Sequence, residues 1–448
     1  MQQLNFQQLY FKGNRYDQPA IEAAIDHLSK YLLKNIHSPS PFVLFSAFNH
    51  IKTVIVYFAI LKANRIAVIL DPQVKFIELE EIINDVDPAA IIYLNEHTIS
   101  FNYLEEIVLR NQSKGPNINT DIKDVCTIAY TNAEDGYSKG AMLTKKNLLS
   151  EIDALIKTNR LTSNSVTCSL LPFSHLFGFI YGILIPAFGK GSSLISEVNL
   201  FKIANTLNEI ESTKVTHLYT VPSVYYILSK TPDLTNSCKS ILEFFSGGIQ
   251  LPPSIYETFY KKTNHKIREG YGLTETSPAI ASNYEEEGPV IGSFGKPFPG
   301  CEIEIRDENN KECRTEQVGE ICIKGDMVFK GYFNHEQTTK KVLRDQWLYT
   351  GDFGRKDDRG NIYFCGLKKE MINVAGNKVY PKKLVRLINK HENVLSATIY
   401  SETSILQGSS IGANVKLKDN SRKSQEEIKT WCLNNINNKI LPKSWIFE

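Results

Sequence analysis

Two short polar segments contain the residue types that a nucleotide site needs. Residues 270–278 read GYGLTETSP, and residues 349–352 read YTGD. Tyr271 stands between two glycines, so backbone can approach its aromatic ring closely. Thr274 offers a hydroxyl to a phosphate, and Glu275 is a hard oxygen ligand of the kind that Mg²⁺ takes beside phosphate.

The second segment contributes a carboxylate. Asp352 suits a ribose diol, because one carboxylate accepts hydrogen bonds from both hydroxyls. Either segment alone is about equally compatible with an ordinary polar loop. Both segments in this order, with the motifs below, predict a nucleotide site in which Tyr271 and Gly272 adjoin the adenine and Asp352 binds the ribose.

With these motifs the chain resembles the AMP-forming adenylating enzymes, the superfamily of acyl-CoA synthetases, nonribosomal peptide adenylation domains and firefly luciferase. The resemblance covers nearly the whole chain and is strongest to the acyl-CoA synthetase branch. In that family a carboxylate attacks the α-phosphate of Mg·ATP to give acyl-AMP and pyrophosphate, and a thiol then displaces AMP. The resemblance implies catalytic roles for Thr274, Glu275, His175 and Lys369, with Glu275 as the metal ligand.

The implied cofactors are ATP or AMP, Mg²⁺ and the thiol of CoA or phosphopantetheine. The implied substrate is a carboxylic acid, fatty or aryl, and an acyl carrier protein is a candidate partner. Residues 171–178, LPFSHLFG, resemble the segment whose histidine, here His175, borders the acyl pocket, although a lone histidine also fits a structural role. Amino-acid-activating relatives carry an aspartate where this chain has Ser174. Because an unpaired buried ammonium is costly, an acid without an α-amine is expected.

Residues 245–249, FSGGI, resemble the strand end at which backbone approaches both adenine and the acyl group. Gly247 and Gly248 lack the Cβ that would block this approach. Ile249 would then line an apolar pocket. Glu269 stands where the family often contacts adenine, but a surface carboxylate at a strand end explains it about as well.

Residues 130–140, YTNAEDGYSKG, take the place of the family's phosphate-binding loop. Thr131 and Lys139 fit this role, because the loop must surround a polyanion with donors and without negative charge. Glu134 and Asp135 do not fit. Each acid within about 4 Å of a phosphate oxygen costs roughly 1 kcal/mol in water-like surroundings and about 4 kcal/mol in a half-dry site. Weak ATP binding is expected, unless the two acids bind Mg²⁺ instead.

Departures from the family pattern continue towards the C-terminus. Lys369 matches the hinge about which a small C-terminal domain rotates, although a solvated charge explains it better from sequence alone. Gly376 belongs to a loop that shapes the thiol tunnel in the family, and Leu367 replaces an arginine that reaches ribose and phosphate. The last residues resemble the strand before the catalytic lysine of adenylation, and Lys443 lies too early to replace that lysine. Impaired adenylation is expected, with a non-catalytic adenylate-binding relative or a truncated chain as alternatives.

The elements that position these motifs follow an α/β pattern. Apolar β-rich runs alternate with helical stretches at 17–33, 50–63 and 76–86, and the runs lie at 42–45, 66–70, 89–94, 166–171, 192–196, 215–219 and 243–245. This alternation predicts doubly wound parallel sheets. Between 290 and 364 the alternating strands predict an antiparallel subdomain. A buried helix is expected at 178–189.

A boundary near 366 to 370 divides the predicted fold. Residues 1–366 form a large N-terminal adenylate-forming domain, and residues 367–448 form a small α/β C-terminal domain joined by a hinge. Strands are predicted at 371–374, 397–400 and 411–417, with helices at 382–391 and 424–435.

Composition narrows the function classes. The chain has 448 residues, 42% hydrophobic and 22% charged, and a formal net charge of +2, so nucleic acid is not an expected partner. The eight cysteines include no metal-ligand spacing and indicate reduced thiols in a cytoplasmic protein. The N-terminus lacks a secretory pattern, and no apolar run approaches the ~20 residues that a membrane span needs.

Overall fold

The structure is a computed structural model that describes residues 4–94, 107–132, 138–197, 203–232, 234–285, 288–367, 372–374, 377–379, 381–404 and 408–448. The strands are, in chain order, β1 Gln8–Phe11, β2 Asn14–Asp17, β3 Phe42–Ser46, β4 Ile66–Leu70, β5 Ala90–Ile92, β6 Ile107–Leu109, β7 Val125–Asn132, β8 Ser138–Thr144, β9 Val166–Ser169, β10 Ser192–Ile195, β11 His217–Thr220, β12 Glu243–Ser246, β13 Ile267–Tyr271, β14 Ala281–Ser282, β15 Lys296–Pro297, β16 Cys301–Arg306, β17 Gly319–Gly325, β18 Gly331–Tyr332, β19 Leu343–Arg344, β20 Trp347–Lys356, β21 Ile362–Leu367, β22 Ile372–Val374, β23 Asn377–Val379, β24 Val394–Ser404, β25 Gly408–Leu417 and β26 Ser444–Phe447.

The α-helices are α1 Gln18–Asn35, α2 Ile51–Lys62, α3 Phe76–Val86, α4 Lys145–Thr158, α5 Leu176–Phe179, α6 Ile185–Gly189, α7 Ile203–Thr213, α8 Pro222–Lys230, α9 Leu234–Ser237, α10 Pro253–Thr263, α11 Glu336–Val342, α12 Pro381–Ile388 and α13 Arg422–Asn435. A π-helical turn, Ile180–Leu184, joins α5 to α6, and almost all of this segment is buried, as the sequence predicts. None of the described helices is both long and apolar enough to cross a membrane.

Two sheets with parallel centres form the body of the chain. One has nine strands in the order β15-β14-β13-β12-β11-β9-β10-β1-β2, and the other has seven in the order β18-β8-β7-β4-β3-β5-β6. The central strands β3 and β4 are buried at every position, since helices cover both faces of such sheets. The hairpin β1–β2 was not predicted, because its two four-residue strands are too short to show a clear period.

The antiparallel subdomain is also present. Strands β16, β17, β20 and β19 form a five-stranded sheet with β21, which pairs with β20. Beyond it, β22 to β26 form a separate five-stranded sheet that packs with α12 and α13 around its own apolar core. A separate core is what the predicted small C-terminal domain requires, but the boundary at 366/367 stays a prediction. We call this part, from Ile372 onwards, the C-terminal unit.

Candidate functional site

The GYGLTETSP and YTGD motifs contact each other in the folded chain. Tyr271 ends β13 and Asp352 lies within β20, and the Tyr271 hydroxyl donates a 2.6 Å hydrogen bond to Oδ2 of Asp352. Both side chains are buried, with 8% and 3% exposure. Burial, reinforced by the adjacent Asp352 charge, raises the pKa of Tyr271 well above its ordinary value, so the hydroxyl stays a donor. One face of the Tyr271 ring stacks on Phe294, with ring centroids 5.0 Å apart.

Glycines shape the backbone around this pair. A Cβ on Gly272 would lie 1.8 Å from the carbonyl oxygen of Pro278, so the motif folds back on itself at this residue. Gly272 is therefore required by contact with the chain's own backbone, in addition to the predicted approach of the nucleotide. A Cβ on Gly247 would lie 2.8 Å from Cε1 of Phe177. Gly248 has a φ of +84°, where glycine is favoured.

Glu275 is held by a tyrosine that sequence reasoning missed. The hydroxyl of Tyr332 donates a 2.6 Å hydrogen bond to Oε1 of Glu275, and the backbone amide of Phe329 donates to the Glu275 carbonyl. The adjoining turn is fixed by Asn147, whose side-chain amide donates to the carbonyl oxygens of Asp326 and Val328. The only sequence signal for Tyr332 is a Gly-Tyr pair in β18.

The Glu275 carboxylate is suited to act as a magnesium ligand. It is partly exposed, and Oε2 accepts no hydrogen bond from the described residues, which leaves a hard oxygen for a cation beside phosphate. No group of three or more His, Cys, Asp or Glu side chains within the described ranges is arranged to hold a metal by itself.

Glu269 is buried, so the alternative of a surface carboxylate is wrong. It lies on the inner face of β13 with Ile267 and Tyr271, because successive strand residues alternate between faces. One carboxylate oxygen accepts a 2.8 Å hydrogen bond from the Leu251 amide. Burial raises the pKa of Glu269 to about 7, against the effect of backbone donors at Leu251 and Gly292. Its contact with adenine stays a prediction.

The predicted phosphate loop connects β7 to β8. We call these two strands with their connection the phosphate hairpin, residues 125–144. Its strands are in register at Thr131 and Lys139, and the Lys139 side chain is buried. Helix α3 holds the hairpin through two contacts: Tyr130 donates to Asp85 at 2.6 Å, and Ser138 donates to Glu78 at 3.1 Å. The acids Glu134 and Asp135 lie outside the described residues.

The acyl-side segment contacts the C-terminal unit through a shared carboxylate. His175 is exposed and precedes α5, and its neighbour Ser174 donates a 3.1 Å hydrogen bond to Asp71. Lys439 of the C-terminal unit donates to the same Asp71 oxygen at 2.7 Å. An acid therefore does lie beside Ser174, but its charge is paired with a lysine.

A row of aromatic rings runs from the segment at 171–178 into the nine-stranded sheet. Phe177 packs edge-on against Tyr181 at 4.8 Å, Tyr181 lies 4.5 Å from Tyr219, and Tyr219 stacks on Phe245 at 4.9 Å between centroids. These rings form a largely buried apolar wall between His175 and Gly247. The apolar acyl pocket lined by Ile249 stays a prediction.

Two predicted residues cannot be placed. Lys369 and Gly376 both lie outside the described residues. Leu367 ends β21, and the strand register sets it opposite Asp352. The position at which the resembling family has an arginine is therefore the cross-strand partner of Asp352, the predicted ribose-binding residue.

Sequence comparisons place this geometry in context. A family profile described as AMP-binding enzyme matches residues 5–333. The long-chain-fatty-acid–CoA ligase of Bacillus subtilis (strain 168) is 30% identical over 329 residues, which are 72% of this chain and 58% of that ligase. A 4-coumarate–CoA ligase of Humulus lupulus is 27% identical over 341 residues, 73% of this chain and 62% of the relative. The chain thus spans only 58 to 62% of the length of these relatives.

Solved structures share the fold over nearly the full chain. A malonyl-CoA ligase, in a product complex with methylmalonyl-CoA and AMP, is 24% identical with a TM-score of 0.83, covering 98% of this chain and 95% of the ligase. The o-succinylbenzoate CoA synthetase of Bacillus subtilis is 20% identical with a TM-score of 0.84, covering 100% of this chain and 92% of the synthetase. This likeness confirms the α/β fold predicted from the sequence.

Proposed function

Because the chain belongs to the AMP-binding enzyme family, we propose that it is an AMP-forming acid–thiol ligase. It uses Mg·ATP to activate a carboxylic acid and transfers the acyl group to the thiol of CoA or of a carrier-protein phosphopantetheine. The observation that supports this most directly is the hydrogen bond between Tyr271 and Asp352, with Glu275 three residues past Gly272 in the same motif. This supports a site in which Tyr271 serves as the aromatic ring, Asp352 as the diol acceptor and Glu275 as the metal ligand.

In the first half-reaction a carboxylate oxygen of the substrate attacks the α-phosphorus of ATP, and pyrophosphate leaves. Tyr271 stacks on the adenine and Asp352 accepts from the ribose hydroxyls. Thr274 donates to a phosphate oxygen, and Glu275, whose carboxylate accepts a hydrogen bond from Tyr332, would supply one oxygen ligand to Mg²⁺. Thr131 and Lys139 of the phosphate hairpin bind the departing phosphates. Bound Mg²⁺ would neutralise charge as pyrophosphate forms.

In the second half-reaction the thiol sulfur attacks the acyl carbon, AMP leaves, and the thiol proton passes to solvent. The roles of Lys369 as hinge and of Gly376 in the thiol tunnel rest on the family resemblance. The aromatic wall next to His175 favours an acid with an apolar body. Gly248 leaves room for the acyl-adenylate, whereas the absent Cβ of Gly247 accommodates the Phe177 ring. The pairing of Asp71 with Lys439 favours an acid without an α-amine.

Two assays test the proposal in separable steps. Calorimetric titration with AMP, and with a non-hydrolysable acyl-AMP mimic, measures the nucleotide site, and we expect saturable binding to both. Supplying synthetic acyl-AMP and CoA then tests thioester formation without the adenylation step. Absence of AMP binding would contradict the nucleotide site, whereas AMP binding without any thioester would contradict the ligase.

The alternative is a relative that binds adenylates without turnover. The acidic residues Glu134 and Asp135 and the leucine at 367 support it, because all three are unfavourable to ATP. The sequence relatives named above are ligases, which supports the enzyme over the binder. Pyrophosphate exchange with ATP separates the two: robust exchange would rule out the binder.

A further inference from the structure

The C-terminal unit is anchored to the large body by buried and half-buried ion pairs. Lys383 in α12 donates a 2.7 Å hydrogen bond to Glu78 of α3, and its side chain is only 3% exposed. Arg386, one turn further along α12, forms a two-pronged pair with Glu81 of α3. Lys390 also reaches Glu81, but its side chain is 40% exposed.

Lys383 differs from the other two cations in what it contacts. Its ammonium also donates a 2.9 Å hydrogen bond to the hydroxyl of Ser138. Ser138 is the first residue of β8, and it is in register with Asn132, the last residue of β7. Lys383 therefore contacts the base of the phosphate hairpin, at the strand pair that closes its connecting segment.

The three groups form a closed triangle. Ser138 donates to Oε1 of Glu78, and Lys383 donates to that same oxygen and to the Ser138 hydroxyl. An ammonium this deeply buried is tolerated only with well-placed acceptors, so its position is set by the triangle. Loss of the ammonium would release Ser138 on one side and leave the partly buried Glu78 without its cation on the other.

We propose that Lys383 is a positioning residue that couples docking of the C-terminal unit to the shape of the phosphate hairpin. This inference rests on the proposed function, in which the hairpin binds the β- and γ-phosphates of ATP. In that arrangement Tyr271 holds the adenine and Asp352 holds the ribose, and neither residue belongs to the hairpin. Loss of Lys383 is therefore selective: it weakens the grip on the polyphosphate and leaves the AMP portion of the site intact.

The test compares Lys383→Met with Lys390→Met in the full chain. Methionine keeps an unbranched apolar stem and removes the ammonium. For Lys383→Met we expect ATP, titrated calorimetrically with Mg²⁺, to bind about tenfold more weakly, with AMP affinity changed less than about twofold. Lys390→Met removes a cation from the same anchoring surface without touching the hairpin, and we expect both affinities to stay within about twofold. Lys383→Arg, which retains the charge and donors, is expected to recover part of the ATP affinity.

A second measurement tests the stability of the phosphate hairpin in the absence of nucleotide. Amide hydrogen exchange of residues 138–144 should accelerate in Lys383→Met and not in Lys390→Met, while far-ultraviolet circular dichroism confirms that both variants fold. Equal weakening of ATP and AMP, no change in either affinity, or the same pattern in both variants would overturn the proposal. If wild-type protein bound neither nucleotide, the proposed function would fail. Unchanged amide hydrogen exchange in Lys383→Met would separately refute the coupling between the C-terminal unit and the phosphate hairpin.

Discussion

The hydroxyl of Tyr271 donates a 2.6 Å hydrogen bond to the carboxylate of Asp352, a residue 81 positions further along the chain. The bond joins the end of a strand in the nine-stranded sheet to a strand of the antiparallel subdomain. It fixes the ring plane of the tyrosine and the position of the carboxylate at once. Two groups predicted to contact opposite ends of one nucleoside are thereby held as one rigid unit.

Two substitutions at Tyr271 should separate the contribution of its hydroxyl to stability from the contribution of its ring to AMP binding. Tyr271→Phe leaves the buried Asp352 carboxylate with one donor fewer, so we expect the free energy of unfolding to fall by about 1–3 kcal/mol. Tyr271→Ala also removes the ring, so AMP binding should weaken by about 1–3 kcal/mol. Chemical denaturation and calorimetry measure these effects. Tyr349→Phe is the control, because the Tyr349 hydroxyl contacts Arg306 and Asn310 instead of Asp352. A similar loss of AMP binding in that variant would refute a specific role for Tyr271.

Tyr332 should matter for metal-dependent binding only. Tyr332→Phe removes the hydrogen bond that orients Glu275, a bond to a charged group worth about 1.5–3 kcal/mol. We expect weaker ATP binding in the presence of Mg²⁺ and unchanged binding of AMP without Mg²⁺. Titrations with and without the metal test this. An equal loss under both conditions would show that Tyr332 supports the fold rather than the metal ligand.

Glu269 should make stability depend on pH. Burial raises its pKa to about 7, so between the unfolded value of about 4.3 and 7 the folded state binds more protons than the unfolded state. The free energy of unfolding contributed by this group is therefore highest below that window and falls as pH rises through 7. Glu269→Gln should show a shallower decline from pH 5 to pH 8 in denaturant unfolding than wild type. The exposed Glu257→Gln should retain the wild-type slope, and an unchanged slope in Glu269→Gln would contradict the assignment.

Residue 367 offers a gain-of-function test. Because the strand register pairs Leu367 with Asp352, Leu367→Arg restores the arginine of the resembling family on the strand position opposite the predicted ribose-binding residue. ATP affinity should rise, and AMP affinity should rise less, since ATP carries more negative charge. Leu367→Met, which adds no donor, should leave both affinities unchanged. A rise with methionine as large as with arginine would rule out an electrostatic cause.

The two acids of the phosphate hairpin can be tested by charge removal. If repulsion weakens ATP binding, Glu134→Thr with Asp135→Thr should strengthen it, and the gain should shrink as salt screens the charges. AMP binding should not change. If Mg²⁺-dependent ATP binding is instead lost in the double variant, the acids are metal ligands and the repulsion hypothesis is wrong.

Local patterns in the sequence were sufficient for the α/β fold and for the approximate bounds of the helices and strands that were predicted. Helix α1 shows why: Ile21, Ile25, Leu28 and Leu32 recur at helical spacing and are all buried, and Asp17 caps the first turn by accepting from Ala20. The burial of Glu269 was also readable in principle, because it shares a strand face with Ile267 and Tyr271. Its polar side chain led to the surface alternative, since carboxylates are seldom fully buried.

The contacts that define the site were decided by tertiary structure alone. Tyr332 meets Glu275 across 57 positions, and Lys383 meets Glu78 across 305. No periodic pattern in the sequence links the two residues of such a pair. Each residue lies on a separate element, and each element packs without help from the other. Their meeting depends on how whole sheets and helices pack. The residue chemistry of the nucleotide motifs and their order can therefore be read from the sequence. Which side chains hold one another in place depends on how the folded chain sets β13 against β20 and α12 against α3.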